Sequence, residues 1–365
     1  MTTLPTAFPD SAIRFAAFGI LVLLSGLLLR DARQGWAGRA TAAFTASVAA
    51  YLLCSHAPVR EGAGVFLPLL YFFCLGGPFF LWFAAQAIFI DDFKPRFPQF
   101  ASLVAIEVFG FTSIALQGEA SLRALLAVFL HHAVMIALYV HALYVAWRSY
   151  GDDLIESRRE FRRLFIGSVA ALGCIIAGVE ITFAGRAVPA GLETTAAAAI
   201  LVLTFALALL AIRIDPIRLF LAAPAEAGRQ PPARTEPLSA GDRHSLGLVR
   251  KAIEDDRLYR KDGLTISALA ETVNAPEHHL RRIINAGLGY RNFNAFLNHY
   301  RIDEVKTALA DPARARIPIL TLALDAGYGS LAPFNRAFKE RVGLTPSAYR
   351  KLKLGSGEND DMPAG

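Results

Sequence analysis

Covalent staples are nearly absent from this sequence. It holds 3 cysteines in 365 residues. Cys54, Cys74 and Cys174 each lie inside an apolar run, so no disulfide framework is implied. Charge is also short: 19% of residues are charged, where soluble domains average about a quarter. With a mean hydropathy of +0.40, that shortage argues against a disordered chain, a secreted disulfide scaffold or a single soluble enzyme. No nucleophile motif, phosphate loop, HExxH or HxxxH spacing is present, so neither covalent catalysis nor a metal centre is signalled. What is abundant is apolar: 54% hydrophobic residues, carried with a net charge of +6.

The charges are unevenly spread. Residues 1–221 hold 16 Lys+Arg and 14 Asp+Glu, whereas residues 241–365 hold 19 and 15. Half the charge therefore sits in the last third, which predicts two domains of different solvent preference.

In the first 221 residues seven apolar runs stand out, at 12–29, 37–55, 65–90, 98–116, 122–147, 164–184 and 192–214. A helix crossing about 30 Å of hydrocarbon needs about 20 apolar residues, so each run is a candidate membrane span. The run at 37–55 is rich in Ala, Ser and Thr, small residues that suit close helix–helix approach. The first run lacks a strongly basic start and is followed by further runs, so it reads as a retained helix, not a cleaved signal. If the N-terminus lies outside, the inner loops carry Arg30, Arg33, Arg39, Lys94, Arg96, Arg148, Arg158, Arg159, Arg162, Arg163, Arg213 and Arg218. The outer loops then carry Arg14, Arg60, Arg123 and Arg186. This asymmetry predicts an N-out, C-in seven-helix transmembrane bundle.

Titratable groups inside such runs are expensive. Glu107, His131, His132 and Glu180 fall within the fourth, fifth and sixth runs and are the candidate ligand or sensor residues. Two readings are open for them: convergence on one polar pocket, or separate hydrogen bonds between helices. His131 and His132 point about 100° apart on a helix, so at most one faces a given neighbour.

Residues 222–243 hold four prolines and two glycines without apolar periodicity and read as a flexible linker. Residues 354–365 read as a disordered tail. Between them, residues 244–353 are helical by spacing. Thr265 can cap a helix with Ile266, Leu269, Ala270 and Val273 on one stripe. Asn274 suits a left-handed turn, and Pro276 suits the first position of the next helix. That second helix turns Leu280, Ile283 and Ile284 inward and leaves His278, Arg281, Arg282 and Asn285 outward. Helix, tight turn and helix with a basic outer face make a helix-turn-helix.

The pattern recurs. Pro318 opens a helix, Gly327 makes a turn, and Ser330 caps a helix with Leu331, Phe334 and Phe338 on one stripe and Asn335, Arg336 and Lys339 on the other. An offset of 54 maps Leu280 onto Phe334, Arg282 onto Arg336 and Gly289 onto Gly343. A long helical stretch from Asn292 to Ala310 joins the units. It spans about 28 Å, near the 34–36 Å that separates successive major grooves on one DNA face.

These residues resemble the AraC-type transcription regulators over about 247–352. The matching stretches include Leu264-Thr-Ile-Ser-Ala-Leu-Ala270, His278-His-Leu-Arg-Arg-Ile-Ile284, Phe293-Asn-Ala-Phe-Leu-Asn-His-Tyr-Arg301 and Gly327-Tyr-Gly-Ser-Leu-Ala-Pro-Phe-Asn-Arg-Ala-Phe-Lys339. The resemblance implies a double helix-turn-helix that binds promoter DNA. It places His278, Arg281 and Arg282 toward base edges in the first unit, and Leu331, Ala332, Asn335 and Arg336 in the second. Arginine forks match guanine O6 and N7, so the first unit is expected to carry more specificity. Arg336 either reads bases or braces the fold. Lys339, Thr345 and Arg291 suit phosphate contact. The expectation is an all-α, membrane-tethered regulator in a bacterial inner membrane with its C-terminal domain in the cytoplasm. Its partners are promoter DNA, the lipid bilayer, an unidentified signal ligand and a second copy in a homodimer, with no cofactor and no enzyme activity. The alternative is a membrane enzyme or transporter fused to an autoregulatory DNA-binding domain.

Overall fold

The computed structural model describes residues 7–30, 35–91, 93–116, 118–119, 121–148, 150–156, 158–168, 190–213 and 240–355. Among these the chain is helical and contains no β-strand, only an isolated antiparallel bridge between Asp153 and Asn292. It divides into two compact units. The first holds residues 1–149 and 160–224, and the second holds 150–159 and 225–365. Sequence reading assigns 150–159 to the apolar part; by contacts these ten residues group with the C-terminal part.

The first unit contains α1 (Ala7–Arg30), α2 (Trp36–Cys54), the short α3 (Ala57–Gly62), α4 (Leu67–Leu75), α5 (Gly77–Phe89), α6 (Phe97–Ala115) and α7 (Leu122–Arg148). The helix over 158–168, α8, ends within it, and α9 runs Ala190–Arg213. The small residues of α2 do what their size allows. Ala37, Gly38, Ala40, Ala42, Ala49 and Ala50 are buried, and α2 packs against both α1 and α5. One core joins Ala37 and Ala40 to Phe79, Phe83 and Phe89 of α5, Ile106 of α6, and Met135, Leu138 and Ala142 of α7. A smaller one joins Ala17, Leu21, Ala49, Leu52, Ala197 and Ile200.

Three of these helices are long and apolar enough to cross a membrane: Asp10–Arg30, Phe97–Ala115 and Leu122–Arg148. The run expected as one helix over 65–90 is instead two, Gly64–Leu75 and Gly77–Phe89, bent by 47°. Proline supplies the reason. Pro78 has no N–H to give and its ring crowds the carbonyl four residues back, while Gly76 and Gly77 absorb the change of direction. The run at 164–184 falls largely outside the described residues, so a seven-helix bundle stands as an expectation.

The second unit contains α10 (Ala240–Arg250), α11 (Ile266–Thr272), α12 (Glu277–Leu288), α13 (Phe293–Ala310), α14 (Ile319–Asp325), α15 (Leu331–Val342) and α16 (Pro346–Gly355). Two cores flank α13. Its first half gives Phe293, Phe296 and Leu297 to a cluster with Leu269, Leu280 and Ile284. Its second half gives Ile302, Val305 and Leu309 to a cluster with Leu322, Phe334 and Phe338. The 18 residues of α13 span about 27 Å.

Candidate nucleic-acid interface

Each helix-turn-helix is set by local chemistry. The Thr265 hydroxyl oxygen accepts from the Ala268 N–H at 3.2 Å, satisfying one of the donors at the start of α11. Asn274 makes the turn with φ of 50°, the left-handed conformation an amide side chain tolerates. Pro276 occupies the cap before α12, not its first helical position. Gly289 ends that helix at φ 78°. In the second helix-turn-helix Gly327 turns the chain at φ 90°, and a Cβ there would meet the Arg260 carbonyl oxygen at 2.6 Å. Ser330 stands at the cap of α15 without a side-chain bond. The Thr345 hydroxyl accepts from the Ala348 N–H at the start of α16.

The two helices that the sequence expects to read DNA differ in what their polar faces are doing. On α15, Phe334 and Phe338 are fully buried, while Leu331, Ala332, Asn335, Arg336 and Lys339 are all exposed. Neither Arg336 nor Lys339 has a side-chain hydrogen bond or ion pair among the described residues. Nothing there braces the fold through Arg336. On α12, His278 is exposed, but its neighbours are engaged. Arg282 Nη2 lies 2.6 Å from Asp242 Oδ1, a carboxylate that also has His279 Nε2 at 3.4 Å. Asn285 Nδ2 donates to the Tyr290 carbonyl at 2.8 Å.

Arg281 departs furthest from expectation. Sequence spacing places it outward, yet it is only 4% exposed. Its Nε donates to Glu277 Oε1 at 3.0 Å, and its Nη1 donates to the Asp153 carbonyl at 2.7 Å. The 150–159 segment packs beside α12 and supplies both the carbonyl and the cover, which helical periodicity cannot anticipate. Glu277 is held below the usual carboxylate range, first by the Ser267 hydroxyl, with the Arg281 guanidinium adding to it and burial opposing.

Between the two helix-turn-helix pairs Arg301 is buried in α13. Its Nε donates to the Tyr259 carbonyl at 2.7 Å and its Nη2 to the Lys261 carbonyl at 2.9 Å. Its guanidinium lies 5.4 Å from the centre of the Tyr328 ring. Arg301 thus ties the segment before α11 to the turn before α15. Asp153, Asp242 and Arg301 carry these arrangements and were not legible as site residues, because each acts on a group distant in sequence.

In the first unit, Glu107 on α6 is buried with neither carboxylate oxygen hydrogen-bonded. It packs on the helix break: a Cβ at Gly76 would meet its Oε1 at 2.7 Å. His131 Nδ1 lies 3.3 Å from the Ile106 carbonyl, one residue from Glu107 in sequence. His132 turns back on its own helix, Nδ1 2.7 Å from the Val128 carbonyl. The structure therefore brings Glu107 and His131 to one stretch of α6 and sends His132 elsewhere. Glu180 lies outside the described residues. His141 accepts from Trp82 Nε1 at 2.5 Å.

Comparison with known proteins agrees with this geometry. Residues 269–352 match the family model described as a helix-turn-helix domain. An uncharacterized HTH-type transcriptional regulator of Staphylococcus aureus strain COL is 36% identical over 102 residues. Similar regulators of strains N315 and MRSA252 are 36% and 33% identical over the same length. Each match covers 28% of this chain and 13% of the relative, so the chain spans only a small part of the length of the relatives it matches. No solved structure matches the chain. With two helix pairs joined by α13 and this match across 269–352, the C-terminal segment is a helix-turn-helix domain of the AraC type.

Proposed function

We propose that the chain is a membrane-tethered, one-component transcription regulator. It binds promoter DNA through two helix-turn-helix units under the control of its apolar unit. The observation that carries this reading is the joining, in one polypeptide, of two kinds of exposed surface. One is the free polar face of α15. The other is the outward apolar face of α7, where Leu122, Leu125, Phe129 and Trp147 are each at least 68% exposed. Leaving a large apolar side chain in water forgoes about 1.5–3 kcal/mol, so a row of them on a 27-residue helix calls for lipid.

In this reading the chain crosses a bacterial inner membrane seven times, N-terminus outside, with the third span broken at Gly76. The helix-turn-helix domain then lies in the cytoplasm. His278, Arg281, Arg282, Asn285, Leu331, Ala332, Asn335, Arg336 and Lys339 form the DNA-contact set. With α13, about 27 Å long, between them, the two reading helices are taken to enter successive major grooves on one face. Two copies bound to a paired site gain affinity by effective concentration alone. Glu107, His131, His132 and Glu180 are the sensing candidates, because a desolvated carboxylate beside a helix break is a group that a proton or a cationic ligand would relieve.

Genome-wide mapping of DNA crosslinked to the full chain, on material sorted into membrane and soluble fractions, tests the proposal. Discrete promoter sites recovered with the membrane fraction are expected. A uniform background, or a chain found free of the membrane, would overturn it.

A further inference from the structure

Residues 150–155 are built into the first helix-turn-helix as a strap. The Leu154 N–H donates to the Arg291 carbonyl at 2.9 Å, and the Phe293 N–H donates to the Asp152 carbonyl at 2.8 Å. Together these bonds make the bridge between Asp153 and Asn292. Asn294 Nδ2 adds a bond to Asp152 Oδ2 at 2.7 Å. Leu154 enters the core of the unit, beside Leu280, Ile284 and Phe293, and is 3% exposed. Asp153 is fully buried. Its carboxylate takes Arg158 Nε at 2.5 Å and the Ile155 N–H at 3.1 Å, which fixes the bend of the strap. Its carbonyl takes Arg281 Nη1.

We propose that this strap is an autoinhibitory clamp on the first reading helix: docked, it holds Arg281 against Asp153, and DNA binding by the first helix-turn-helix requires it to leave. The inference rests on the DNA-binding reading above and adds the device that controls it. Arg281 stands on the face of α12 that the family resemblance turns toward base edges, and its guanidinium cannot serve Asp153 and a guanine at once. The strap docks by two main-chain bonds, one side-chain bond each from Asn294 and Arg281, and one leucine, a contact small enough to be released while the rest of the core stays in place. Among the described residues the second helix-turn-helix has no equivalent cover. Arg336 and Lys339 stand free on α15, so the docked state has one reader open and one closed.

Covalent continuity gives the clamp its handle. The strap follows α7 directly and leads into α8, and the residues on both sides of it belong to the first unit. Any change in the ends of those helices is delivered to Leu154 within a few residues. The other connection is a long stretch rich in proline and alanine; sequence reading ends it at 243, whereas α10 already begins at Ala240. The strap is the shorter route by which the apolar unit reaches a reading helix.

Two measurements on the full chain in lipid nanodiscs test this. A duplex is first selected from a random-sequence pool with the Leu154→Ser chain. The Leu154→Ser chain, which loses the anchor and leaves every reading residue in place, is expected to bind that duplex at least fivefold more tightly than the unaltered chain. Equal or weaker binding by a folded Leu154→Ser chain overturns the clamp. Independently of that variant's stability, hydrogen exchange on the unaltered chain gives a second answer. Saturating duplex is expected to speed exchange in peptides covering 150–155 at least tenfold while α13 stays protected. Undiminished protection of 150–155 in the DNA complex overturns the clamp and leaves DNA binding standing. Failure of both chains to select or bind any duplex overturns the DNA-binding reading itself.

Discussion

Gly327 lies against Arg260, with the position of its missing Cβ 2.6 Å from the Arg260 carbonyl oxygen. Its φ is 90°, a region that costs a side-chain-bearing residue about 1–3 kcal/mol. Gly327→Ala would incur that strain and push the turn off the Tyr259–Arg260 backbone. The expected result is a loss of several °C in the thermal midpoint of the full chain in detergent, with DNA binding lost at growth temperature. Unchanged stability would mean that the turn before α15 can close some other way.

Arg301 makes a second, separable prediction. It satisfies the Tyr259 and Lys261 carbonyls from inside α13. Arg301→Met keeps the volume and removes the donors, leaving two buried acceptors at about 1–3 kcal/mol each. Arg301→Lys keeps the charge but not the fork that reaches two carbonyls, and is expected to recover less than half the loss. Chemical denaturation of the three chains, followed by a probe in the second unit, measures the difference. Equal midpoints would show that the carbonyls find water instead.

Helical periodicity revealed most of the C-terminal fold, because capping and turn residues act on their own neighbours. Thr265, Asn274, Gly289, Gly327 and Gly343 are read correctly as ends and turns from identity alone. The apolar stripes Leu280–Ile284 and Phe334–Phe338 likewise bury as their spacing requires. The failures share one cause. Arg281 looks outward by spacing, but a segment 128 residues earlier covers it. Arg282 looks free, but Asp242 pairs with it across 40 residues. The break at Gly76–Pro78 was written in the sequence as Gly-Gly-Pro, yet hydropathy averaged over the run conceals it. Contacts between distant segments depend on tertiary packing, which one-dimensional periodicity does not encode.

Glu107 gives a prediction for the apolar unit. Both of its carboxylate oxygens are buried without hydrogen bonds, against a break where a Cβ at Gly76 would collide with Oε1. Glu107→Gln keeps the shape and removes the ionisable group. If Glu107 senses, expression from the mapped promoters in cells should become fixed, at least threefold above or below the unaltered chain and independent of growth condition. Affinity of the solubilised chain for DNA should stay within twofold. Promoter output that still follows growth conditions as before would remove Glu107 from the sensing set.

The open face of α15 makes the sharpest statement about DNA. In the clamped state Arg281 is held by Asp153 and Glu277 and Arg282 by Asp242, whereas Arg336 and Lys339 have no such partner among the described residues, so discrimination between sequences should begin with the second helix-turn-helix. Arg336→Ala is expected to cost about 1–3 kcal/mol against the preferred site and to flatten base preference at one position. Lys339→Ala should weaken all sequences alike and lower the slope of log K against log salt by about 1, as the loss of one phosphate contact does. Arg282→Ala, by contrast, should show its full cost only when combined with Leu154→Ser, because an undocked first unit is needed before its loss is felt. Titrations of selected and scrambled duplexes at several salt concentrations separate the three behaviours. If Arg336→Ala leaves base preference intact while Arg282→Ala alone abolishes it, the first unit reads without release, and the order of engagement argued here is reversed.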